Sequence, residues 1–229
     1  MTENLLAVYM FGSLVRGDGD QHSDLDLLAV VKDGGGKLTE TCVTHYVPLE
    51  YSKREPSISW YGKNRLSQMF RNGELFAWHL HNETTPLFER EPVISMLGKP
   101  TKYQGAVEDV TSFQKVLSGI PTSIRQSPEN AIYELGLVYV CLRNICMSAS
   151  SVLCAQVDFS RYSPFNLVNV PPVPITKHEF DLAMSCRMAG QRGIVPPSNI
   201  VTSEMVTNIY YRLAPWIETL RASLEKHDG

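Results

Sequence analysis

The chain has 229 residues, 43% of them hydrophobic and 20% charged, which is enough for one large domain or two small ones with a sizeable core. A net charge of −3 excludes a global basic field of the kind that advertises nucleic-acid binding, although a local basic groove stays open. The cysteines Cys42, Cys141, Cys146, Cys154 and Cys186 form no C-x-x-C pair, which argues against a zinc ribbon or a thioredoxin-like motif. Their odd number, with no basic region and apolar run at the N-terminus, points to a reducing cytoplasm. Charges break the apolar stretches well before the ~18 residues of a membrane span, so no span is expected.

In chain order, residues 5–11 (LLAVYMF) read as a short buried strand. Residues 13–17 open a short helix, and Gly17-Asp18-Gly19-Asp20 has the chemistry of a turn. Residues 24–31 (DLDLLAVV) read as a strand that is exposed at its start and buried along the rest. Residues 41–51 alternate weakly and suggest another strand, with Pro48 marking an edge or a break. Residues 56–61 suggest a further strand, 64–71 and 74–82 two helices divided by Asn72-Gly73, and 85–89 a last strand. From about Gly105 the pattern turns helical, with Val107, Val110, Phe113 and Leu117 at helical spacing. Ser127-Pro128 predicts the start of a long helix reaching about Gln156. Thr176-Lys-His-Glu179 is a capping box for the next helix, and a final helix runs from Ser203 to about Lys226, with a kink expected at Pro215. These elements predict an α/β domain over residues 1–104 and an all-α bundle over residues 105–229.

The chemistry sits in Phe11-Gly12-Ser13-Leu14-Val15-Arg16-Gly17, followed by Ser23-Asp24-Leu25-Asp26-Leu27. A triphosphate is held by backbone N–H groups and a hydroxyl at the start of a helical turn. Gly12 allows close backbone approach, and Ser13 offers both an N–H and a hydroxyl. Mg²⁺ takes one or two carboxylates together with phosphate oxygens and waters. Asp24 and Asp26 leave the same face of a strand, roughly 7 Å apart at Cα. Leu25 and Leu27 point the other way, into the core. A Gly-Ser pair alone is usually a turn, and an Asp-x-Asp alone is usually a solvated strand start. Their order on strand, turn, helix, turn and strand favours a site.

This string resembles the G-S-x-x-R-G … S-D-x-D-[LI] signature of the DNA polymerase beta-type nucleotidyltransferase superfamily. It is similar to the small bacterial members, the minimal and the aminoglycoside nucleotidyltransferases. A looser resemblance covers residues 57–89. The resemblance implies an α/β (α+β) nucleotidyltransferase domain with a mixed sheet, followed by a helical bundle. It implies Gly12, Ser13, Arg16 and Ser23 on the nucleotide, and Asp24 and Asp26 on Mg²⁺, with two ions in the site. It also implies in-line attack of an acceptor on the α-phosphate of a nucleoside triphosphate, with pyrophosphate leaving.

The superfamily usually places a third carboxylate on a later strand. Here that strand is PSISWY, which offers Ser57 and Ser59 but no acid. Glu50 is the nearest earlier candidate and is expected to complete the catalytic set. Glu55 lies in a polar turn and is expected to be solvated. Lys53-Arg54 and Lys63-Arg65 read as solvated faces rather than a phosphate channel. His79 and His81 sit two apart on a helix and face different ways, so they form no metal pair. Arg143 on the long helix reads as a structural cation. The histidine of the HEPN ribonuclease pattern Arg-x₄₋₆-His is missing after it.

The expected function is Mg²⁺-dependent transfer of a nucleoside monophosphate to a hydroxyl on a small molecule, a protein or an RNA end. The alternative is a nucleotide-binding or antitoxin-like module that lacks the third carboxylate. No membrane partner is expected, and the sequence leaves a homodimer open.

Overall fold

The computed structural model describes residues 2–19, 23–192 and 200–228. Asp20 of the expected turn lies outside these residues. The chain divides by packing into two compact units, Met1–Tyr103 and Gln104–Gly229.

The first unit is built on a four-stranded mixed sheet in the order β3-β2-β1-β4. Strand β1 (Leu5–Phe11) is apolar throughout and buried throughout, as a central strand covered on both faces must be. It pairs antiparallel with β2 (Leu25–Val31) and with β4 (Thr84–Glu89), whereas β2 pairs parallel with β3 (Pro56–Gly62). Asp26 is the one residue of β2 that is not buried.

Alternation sends successive side chains into two cores. On one face Tyr9, Phe11, Leu28 and Val30 pack under helices α3 (Lys63–Asn72), α4 (Leu75–Glu83) and α5 (Val93–Leu97), meeting Leu66, Phe70, Leu80 and Val93. On the other face Val8, Met10, Leu25, Leu27 and Ala29 pack with Val43, Tyr46 and Trp60. Burying a side chain such as Leu28 or Leu80 stabilises the unit by roughly 1.5–3 kcal/mol each. Between α3 and α4, Gly73 takes φ 66°, and a Cβ there would come within 2.4 Å of the Thr101 carbonyl oxygen.

The expected strand over residues 41–51 is not formed. The segment holds a one-turn helix, α2 (Thr41–Thr44), and a 3₁₀ turn at Leu49–Tyr51. The reason is the spacing of its apolar residues. Val43, Tyr46 and Val47 follow an i, i+3, i+4 pattern that places them together on the core, and Pro48 has no N–H to give to a ladder.

The second unit is helical: α6 (Ala106–Leu117), α7 (Ile120–Gln126), α8 (Ala131–Leu153), α9 (Lys177–Arg192) and α10 (Ser203–Asp228). Helix α8 is central and packs against α6, α9 and α10. Gly136 lets α9 approach, since a Cβ there would lie 3.0 Å from the Arg187 backbone nitrogen. The segment Pro128–Leu153 is long and apolar enough to cross a membrane, with a mean hydropathy of 1.4 over an 18-residue window. That apolarity serves the core, since 56% of that window is buried inside the protein.

Ser127 does not cap α8. A 3₁₀ turn at Pro128–Asn130 comes first, and the Ser127 hydroxyl donates to Glu129. The capping box of α9 forms as the sequence predicts. The Glu179 carboxylate accepts from the Thr176 N–H at 2.8 Å, and the Thr176 hydroxyl accepts from the Glu179 N–H at 3.2 Å. Helix α10 runs on through Pro215, whose position is exposed, so the carbonyl it leaves without a donor one turn earlier meets solvent.

Candidate active site

Strand β1 ends at Phe11, and the chain turns at once. Gly12 takes φ 79° and ψ −148°, a conformation that costs little only for glycine. The one-turn helix α1 (Ser13–Arg16) follows and ends on Gly17 at φ 80°. The Gly12 carbonyl accepts from the N–H groups of Val15 and Arg16 at 3.1 Å. The N–H groups at the start of such a turn have no intrahelical acceptor and are available to an anion.

The absence of a side chain at Gly12 has a second use. A Cβ there would stand 2.7 Å from Asp26 Oδ2, so the Asp26 carboxylate lies directly against the turn. Asp26 is the second residue of β2, and Asp24 stands exposed just before the strand. Leu25 and Leu27 between and beyond them are 1% and 0% exposed, and they fix the direction in which the two acids leave the sheet.

The parallel register with β3 decides what stands beside these acids. Asp26 pairs with Ser57, and Leu28 with Ser59. The Leu25 N–H donates to the Glu55 carbonyl at 3.0 Å, which places Glu55 level with Asp24. Glu50 lies on the exposed 3₁₀ turn, and the structure does not gather it with Asp24 and Asp26. Among the described residues no three acids, histidines or cysteines converge on a metal-sized site. The donor set is therefore a pair of hard carboxylates. That pair fits Mg²⁺ bound jointly with substrate phosphates, the usual way this ion is held.

Ser23 is buried, and its carbonyl accepts from Arg54 Nη1 at 2.7 Å. Arg54, read from the sequence as a solvated charge, thus anchors the segment that leads into Asp24. Nothing in the local sequence marks this, because the contact spans the β2–β3 crossover. Arg16 turns away from open solvent, its Nη1 standing 2.5 Å from Glu83 and its Nη2 3.2 Å from Asp18. Burial works against the charge of Arg16, but its bonds to Glu83 and then Asp18 outweigh that and raise its pKa.

In the second unit the polar residues near α8 are engaged structurally. Arg143 donates to the Phe159 carbonyl at 2.9 Å, and Asp109 accepts from the Ser148 hydroxyl at 2.6 Å. Burial pushes the Cys141 and Cys186 thiols up to about 11, which makes them poor nucleophiles at neutral pH.

Residues 3–75 match the nucleotidyltransferase domain family. Strands β1 to β3, the Gly12 turn, Asp24 and Asp26 all lie in this matched segment, and nucleotidyltransferases of this type generally use divalent metals. The matched segment ends before most of α4 and before the helical unit. Two solved structures align with nearly the full length of this chain. One is the spectinomycin adenyltransferase AAD(9) from Enterococcus faecialis, determined with ATP and spectinomycin; identity is 9% and the TM-score 0.41, covering 97% of this chain and 92% of that one. The other is a nucleotidyltransferase-like protein from Exiguobacterium sibiricum 255-15, with 12% identity and a TM-score of 0.37, covering 96% of this chain and 70% of that one. No curated protein matches the sequence.

Proposed function

We propose that the N-terminal unit binds a nucleoside triphosphate together with Mg²⁺ and transfers its nucleoside monophosphate to a hydroxyl acceptor. The observation that carries this reading is the contact between Gly12 and Asp26. It supports the reading by bringing the Gly12 turn and the Asp26 carboxylate to one point. Gly12 and Ser13 would take the triphosphate with backbone N–H groups and the Ser13 hydroxyl, and Asp24 and Asp26 would hold the metal. Bound there, the metal would neutralise phosphate charge and steady the attacking and leaving oxygens. Leu25 and Leu27, buried on the opposite face, would keep Asp26 against the turn, and Arg54 holds the approach to Asp24 in place.

A second reading is supported by the register of β3. Ser57 stands beside Asp26, where the superfamily resemblance leads one to look for a third acid, and a neutral hydroxyl neither supplies its charge nor acts as a base. The domain would then bind metal and nucleotide without transferring efficiently.

One assay separates the two. The protein is incubated with labelled nucleoside triphosphates, Mg²⁺ and candidate hydroxyl acceptors, and labelled product and pyrophosphate are measured. Transfer should occur with the natural chain and fall by about 10²-fold or more in Asp24→Ala and Asp26→Ala, the scale of losing a group that stabilises the transition state. Equal product from the double variant rules out transfer at this site. Metal-dependent nucleotide binding with no product from the natural chain leaves the binding reading standing.

A further inference from the structure

The phosphate turn is held on the sheet by Leu14 and Val15, which are only partly buried against the core. Helix α1 is a single turn between two glycines of positive φ, and none of its residues is fully buried. A helix this short does not persist alone, because nucleation costs more than its few bonds return. The structure also ties its far end. Arg16 Nη1 meets Glu83 Oε2 at 2.5 Å, and Glu83 is the last residue of α4, a helix seated in the core through Ala77 and Leu80. The same Glu83 oxygen lies 2.9 Å from His79 Nε2, one turn earlier on α4. The His79 ring stands edge-on to Phe11 with centroids 5.4 Å apart, and Phe11 is the residue before Gly12. The contacts therefore close a ring around the turn, from Phe11 through Arg16, Glu83 and His79 back to Phe11.

The charges in this ring bear on what Arg16 can do. Its single positive charge faces two carboxylates, those of Glu83 and Asp18. The Arg16 and Glu83 side chains are only 17% and 11% exposed, where such pairing is stronger than in open water. A guanidinium held in this way offers no net positive charge to a triphosphate.

We propose that Glu83 is the positioning residue of the phosphate turn, and that Arg16 is the tether through which it acts rather than a ligand of the phosphates. The proposal rests on the nucleotide-binding reading above. The test titrates the full chain with inorganic tripolyphosphate in the presence of Mg²⁺ and reads affinity by calorimetry. Glu83→Gln should weaken binding about tenfold or more, as loss of an outer orienting group does. Glu83→Asp, which keeps the charge, should recover part of that loss. Arg16→Gln combined with Glu83→Gln should be no worse than the poorer single variant, because both remove one interaction.

A phosphate-binding Arg16 would behave in the opposite way: Glu83→Gln would release it and tighten binding. Tighter or unchanged binding by Glu83→Gln therefore overturns the proposal. A natural chain that fails to bind tripolyphosphate overturns the nucleotide reading and this one with it. Amide exchange guards against a folding artefact. In Glu83→Gln the amides of residues 13–17 should exchange faster while that of Leu80 is unchanged, and equal loosening at both sites overturns the positioning role.

Discussion

Strands β2 and β3 lie side by side in parallel register, and their exposed ends differ in one respect. At the start of β2 stand two carboxylates, Asp24 just before the strand and Asp26 within it. Opposite Asp26, β3 carries the hydroxyl of Ser57. Both strands bury apolar residues on the opposite face, Leu25 and Leu27 from one and Ile58 and Trp60 from the other. At the level of Asp26 the sheet therefore supplies a carboxylate from one strand and a neutral hydroxyl from the other, while Glu55 stands level with Asp24 just before β3. A fold can keep the place for a catalytic group after the chemistry of that place has changed, so family membership and catalytic completeness have to be argued separately.

The largest expected effect comes from giving β3 the missing charge. Ser57→Asp should raise nucleotidyl transfer by about a hundredfold in steady-state product formation, the lower end of the range for a positioned general base. An unchanged rate would show that the position beside Asp26 is not where the reaction lacks an acid. Next is the bond that joins the leaders of the two strands. Arg54→Ala removes a charged donor from the buried Ser23 carbonyl and should cost about 1–3 kcal/mol in chemical denaturation. A loss well below that range would mean that the two strand ends are held together by the ladder alone. The smallest effect is expected at Glu50. On its exposed turn, Glu50→Gln should leave transfer within about twofold of the natural chain, as surface substitutions away from a site generally do. Loss of transfer in that variant would restore Glu50 to the catalytic set.

What could be read in the sequence follows the physics of each element. Strands β1 and β2 were legible because continuous burial demands an unbroken apolar run, and the acids of β2 interrupt theirs only at the open end. The Gly12 turn was legible because its glycines and serine occur in an order that few other structures require. The segment 41–51 was misread because weak alternation was weighed above the i, i+3, i+4 spacing of Val43, Tyr46 and Val47. No element was expected over residues 119–126, where α7 forms with Pro121 at the start of the helix, so that its missing N–H costs nothing. The partners of Arg16 and Arg54 were not legible. Glu83 is 67 residues from Arg16 and Ser23 is 31 from Arg54, and only the folded sheet brings either pair together.

The bare Cα of Gly12 against the carboxylate of Asp26 leaves no room for the two halves of the site to act independently. On the proposed reading, a phosphate arriving on the turn would change the field at the carboxylate, and a cation arriving at the carboxylate would change the field at the turn. Their affinities would then be linked, and the linkage reciprocal. Whatever factor the cation lends to phosphate binding, phosphate returns to the cation.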